Sequence, residues 1–125
     1  MAKSACPYKF DEGCVEIVFD GPISRKNDSS FLLNFKDHNN KHMVLEQLPN
    51  LKLWMVMSNG HEHGSEPVKI TKKAAGFQVT NVWFLMRGRW LVKLDFKYKG
   101  NKRQMEIPIC VGQTSQTSHV GECSK

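Results

Sequence analysis

Methionine and histidine crowd one stretch of this chain, Leu53-Trp54-Met55-Val56-Met57-Ser58-Asn59-Gly60-His61-Glu62-His63-Gly64. Thioether sulfur and imidazole nitrogen are neutral, soft-to-borderline ligands that suit Cu(I), or Cu(II) after partial rearrangement, whereas calcium and magnesium sites are built from carboxylates and carbonyls. His61 and His63 would reach the same side of an extended turn, and the flanking Gly60 and Gly64 allow the backbone to bend toward a third ligand. Met57 is the methionine nearest to that turn, and Met86, at the end of another apolar run, is the fourth candidate ligand. The competing reading is plain: paired histidines in a polar loop are usually solvated, and methionines two apart in a strand are more often flexible core filler. His38 and His42-Met43 form a second, looser cluster.

Those residues need strands to position them. Short runs of period-two alternation, separated by Gly, Asn, Asp and Pro, predict strands at 14–19, 31–36, 51–57, 68–71, 77–86, 89–98 and 103–111. In the third, Leu51, Leu53, Met55 and Met57 share one face and Lys52, Trp54, Val56 and Ser58 the other. The runs 77–86 and 89–98 read as a hairpin about Arg87-Gly88, in which Trp90, Val92, Leu94, Phe96 and Tyr98 supply the buried face. Residues 43–48 fit a short strand or a single helical turn equally well. About seven strands at this spacing predict an all-β, immunoglobulin-like antiparallel β-sandwich, with a small barrel as the second choice. The expected organisation is an N-terminal extension over 1–13, the sandwich over 14–111, and a flexible tail over 112–125, tied down only if Cys123 is bonded.

A length of 125 residues, 40% of them hydrophobic, is enough for one domain with a real core. Eighteen Lys and Arg against 12 Asp and Glu give +6, but the cations are dispersed and no basic-aromatic platform accompanies them, so nucleic acid is not the expected partner. No run of some 18 apolar residues could span a bilayer, and the N-terminus lacks the apolar core of a signal peptide. Ser4-Ala5-Cys6 resembles the small-small-Cys end of a bacterial lipoprotein signal, which would put a lipid anchor on Cys6. Cys6, Cys14, Cys110 and Cys123 contain no CxxC pair; they fit one or two disulfides in an oxidising compartment, with three full pairings open and free buried thiols as the alternative. No nucleophile elbow, phosphate loop or His-Glu-x-x-His helix is present, so an enzyme is not expected.

The order Gly21-Pro22, then Met57-Ser58-Asn59-Gly60-His61-Glu62-His63-Gly64, Gly76-Phe77, and Val82-Trp83-Phe84-Leu85-Met86-Arg87-Gly88-Arg89-Trp90 followed by Leu91-Val92-Lys93-Leu94, resembles the YtkA-like and FixH-like domains of bacteria over roughly residues 15–111. The match departs at Glu62 between the histidines and lacks a proline among the methionines. That resemblance implies an immunoglobulin-type module of the periplasm or cell envelope, concerned with copper handling or the assembly of copper-containing oxidases, with Met57, His61, His63 and Met86 as the metal site. The expected protein is a non-enzymatic copper carrier or sensor that passes the ion to an envelope partner, its imidazoles losing metal as pH falls through roughly 6. The alternative is a metal-free interaction module whose Trp54 and Trp83 are exposed as partner contacts while its methionines are buried.

Overall fold

The computed structural model describes residues 6–56, 62–64 and 67–123. Ten strands are present among them: β1 Tyr8–Phe10, β2 Gly13–Phe19, β3 Ser29–Asp37, β4 Asn50–Val56, β5 Glu62–Gly64, β6 Lys69–Lys73, β7 Gly76–Val82, β8 Gly88–Tyr98, β9 Asn101–Val111 and β10 His119–Val120. They form two antiparallel sheets, β1-β2-β3-β7-β6 and β10-β9-β8-β4-β5. Without the short outer strands, β2-β3-β7-β6 over β9-β8-β4 is the seven-strand arrangement of a constant-type immunoglobulin sandwich. The fold class expected from the alternation is therefore the one observed.

The alternation predicts burial because each strand has one face on the core. Phe31, Leu33 and Phe35 of β3, Leu51, Leu53 and Met55 of β4, and Trp90, Val92, Leu94 and Phe96 of β8 are all buried. Seven phenylalanines and one tryptophan fill the space between the sheets in two groups. At one end Phe84 meets Trp90 edge-on at 5.5 Å and leans on Phe19, which contacts Phe31. At the other, Phe96 meets Phe10 and Phe35 at 5.0 and 4.7 Å, and Phe35 meets Phe77. Edge-to-face pairs of this kind add about 0.5–1.5 kcal/mol each beyond their buried area.

Three expectations need correcting. The hairpin between 77–86 and 89–98 does not exist: β7 ends at Val82 and pairs with β3 and β6, while β8 begins at Gly88 and pairs with β4 and β9, so residues 83–87 cross from one sheet to the other. Asn81 turns the chain out of β7 at φ 60°, and its side chain holds the corner by donating to Pro67 O and accepting from Trp83 Nε1. Residues 43–48 form neither strand nor helix, with Leu45 buried and Val44 and Leu48 exposed. The ends are not outside the sandwich: β1 extends one sheet, β10 extends the other, and a short 3₁₀ turn, Ser115–Thr117, joins β9 to β10.

The cysteines pair as Cys6–Cys14 and Cys110–Cys123. Each bond ties a terminal segment to a neighbouring long strand, which explains how strands of two or three residues hold their register. The first also occupies the Cys6 sulfur that a lipid anchor would need, so the anchor expected there does not fit this structure. Ion pairs close the same side of the sandwich: Arg103 of β9 makes two bonds, at 2.9 and 2.7 Å, to the Glu12 carboxylate in the β1–β2 turn.

Candidate metal-binding rim

β4 and β8 are antiparallel, with Met55 opposite Trp90, so the end of β4 lies beside the start of β8. β5 pairs back on β4 with Val56 opposite Glu62 and Met55 opposite His63. The chain that links Val56 to Glu62 is thus anchored at the end of the sandwich where Gly88 starts β8 and where the 83–87 crossover arrives. Met57 and His61 belong to that link and lie outside the described residues. For His63 the structure gives the backbone position, one strand away from Met55 at the sheet edge.

Met86 is held in place by its backbone. The buried indole of Trp90 donates from Nε1 to Met86 O at 2.8 Å, and this bond fixes the crossover against the core. The residue is left 39% exposed, making Met86 the one exposed methionine among the described residues; Met43 and Met105 are half-buried and Met55 is 6% exposed. Met55 behaves as the core filler its spacing allowed. Its methyl fills the space beneath Gly88, where an added Cβ would come within 2.6 Å of it at a backbone φ of 140°.

The cations of this rim are engaged elsewhere. Arg87 donates to Gln113 Oε1 at 2.7 Å, and Arg89 makes a two-bond pair with Glu122 at 2.5 and 2.8 Å. The Arg89 guanidinium holds the Glu122 carboxyl below the usual carboxylate range, and Glu122 in turn raises Arg89. His119, which the sequence reading did not single out, lies at the same end of this sheet, but two strands beyond β8 and with Nε2 2.8 Å from Glu122 O.

The second cluster does not join the first. His38 and His42 follow the end of β3, at the opposite end of the sandwich from the start of β8, with His38 Nε2 3.0 Å from Asp11 O and His42 bridged to Lys36. Met43 packs on the core beside Gly13. Among the described residues no three His, Cys, Asp or Glu side chains are grouped to hold a metal ion. Of the two tryptophans expected to be exposed, both Trp54 and Trp83 are half-buried. No family model matches the chain, and no curated protein or solved structure matches it either.

Proposed function

We propose that the protein is a non-enzymatic copper carrier of the cell envelope or periplasm that takes Cu(I) as cargo at the rim where β4 ends and β8 begins, with Met57, His61, His63 and Met86 as ligands. The observation that carries this reading is the state of Met86. Its backbone is bonded to a buried tryptophan while the residue as a whole stays 39% exposed, at the end of the sandwich where β4 ends and β5 begins. A methionine serving only as core filler gains by burial, as Met55 does. The donor chemistry fits the cargo: thioethers favour the reduced ion, and neutral imidazoles allow exchange with a recipient protein. What the chain itself supplies is positioning. Trp90 and the sheet register hold the sulfur-bearing crossover, and of the two guanidiniums beside it Arg89 is paired with the Glu122 carboxylate, while Arg87 is held by the neutral Gln113 amide. The resemblance to the YtkA-like and FixH-like domains supports the same reading through the residues quoted for it.

The metal-free interaction module is the second reading, favoured by Leu85, which is 62% exposed beside Met86. A competitive Cu(I) titration under reducing conditions separates the two. The native protein should hold one copper ion against the chelator, and Met86→Leu and Met57→Leu/His61→Ala should each weaken it by tenfold or more; equal weak uptake by all three proteins would leave only the interaction module.

A further inference from the structure

The outer face of the β9-β8-β4 sheet carries a charge pattern that the fold does not require. Lys52 of β4 lies directly opposite Lys93 of β8, and Lys97 of β8 lies directly opposite Lys102 of β9. Directly opposed residues on one face have Cβ atoms about 4.5–5.5 Å apart, where like charges destabilise an antiparallel pair. The two lysine rows are four residues apart along β8, roughly 13 Å. The carboxylates at register positions on this face are Asp95, between the rows, Glu106, which approaches Lys93 at 4.0 Å, and Glu62 on the neighbouring β5, two residues from the Gly64 that lies opposite Trp54. On β9, β8 and β4 four lysines therefore face two carboxylates, and among the described residues Lys52, Lys97 and Lys102 have no ion pair.

The aromatic on this face is Trp54, half-buried, with its ring over Gly64 and the Lys93 ammonium 4.8 Å from the ring centroid. Its row continues through Leu91, which is only 7% exposed, to the half-buried Pro108, so the apolar surface bordering the lysines is that of Trp54 and Pro108. The unpaired cations are all lysine. Arg89, at a register position on this same face, is committed to Glu122, and Arg103 to Glu12.

We propose that this face docks on an anionic phospholipid bilayer. Lysine is a compact, hydrated point charge on a flexible stem, suited to a diffuse negative surface; a site reading individual phosphates in a fixed geometry would use the planar fork of arginine. One face of the sheet carries all four of these charges, and tryptophan bordered by lysine is the pairing that settles at a headgroup interface. Two opposed lysine pairs cost the fold stability, and an anionic surface converts that repulsion into attraction.

The test uses the full chain, with a chelator present so that copper plays no part, and phosphatidylcholine vesicles with and without phosphatidylglycerol at low and moderate salt. The native protein should sediment with the anionic vesicles alone, release as salt rises, and show a blue-shifted tryptophan emission that Trp54→Phe removes. Each lysine near an anionic surface contributes roughly fivefold in affinity, so Lys52→Gln/Lys97→Gln/Lys102→Gln should weaken vesicle binding by about a hundredfold. The same substitutions should leave the melting temperature at low salt unchanged or higher, because they relieve like-charge pairs; a damaged fold would lower it. Absence of native binding, binding undiminished in the triple variant, or preference for soluble dextran sulfate over vesicles would each overturn the proposal.

Discussion

Trp90→Phe is the substitution that probes the rim through its support. The native indole is 2% exposed, meets Phe84 edge-on at 5.5 Å, and donates to Met86 O at 2.8 Å. Phenylalanine keeps an aromatic ring but loses the donor, and leaving the partner carbonyl unpaired costs about 1–2 kcal/mol. The smaller ring leaves some 40 Å³ unfilled, worth about 1 kcal/mol at roughly 24 cal/mol per Å³. A total near 2–3 kcal/mol should appear in urea unfolding as a lower midpoint at unchanged slope, with the melting temperature lowered by roughly 6–12 °C for a domain of this size. The functional consequence is separable: no proposed ligand is altered, yet Cu(I) affinity should fall because the Met86 backbone has lost its anchor. A loss below about 0.5 kcal/mol, within the range of ordinary surface substitutions, would refute the role given to the indole.

Acid should weaken the fold through its paired carboxylates. Glu12 is held below its ordinary range first by the Arg103 hydrogen bonds, Glu122 by Arg89, and Asp37 by backbone N–H groups of Lys41 and Asn39. Depressed folded-state values mean that the stability is present above the unfolded carboxylate range, near pH 4, and is lost as pH falls through the lower folded values. Thermal melts should show that decline, and Arg103→Gln should make it shallower. Tyr8 moves the other way, raised mainly by burial and also by Glu122, so its contribution is complete below about pH 10 and is lost above it. Cys110→Ser/Cys123→Ser opens a link that spans 13 residues and should cost about 3 kcal/mol. In that variant β10 should become sensitive to limited proteolysis after Gly112, whereas the native chain should resist.

The fold was legible wherever a strand has one wet face. Trp90, Val92, Leu94 and Phe96 alternate with Leu91, Lys93, Asp95 and Lys97, and that pattern alone places β8 correctly. The crossover deceived because Val82 and Phe84 are both fully buried two residues apart, as they would be in a strand. Here the chain passes between the sheets, so its side chains remain in the core although its backbone has left the ladder. The positive φ of Asn81 was the local sign of that exit. Strands β1 and β10 are too short to show a period, and their placement depends on disulfides whose pairing spacing could not choose. At the site, residue chemistry singled out Met86, but its accessibility comes from the bond between Trp90 and its carbonyl, which no sequence pattern announces. Met55, chemically identical, was separated from it only by packing beneath Gly88.

X-ray absorption at the copper edge tests the central claim most directly. The Cu(I)-loaded native protein should show sulfur and nitrogen scatterers together, and Met86→Leu should lose part of the sulfur shell while the nitrogen shell persists. An unchanged sulfur shell in that variant, or a native shell of light atoms alone, would contradict the assignment.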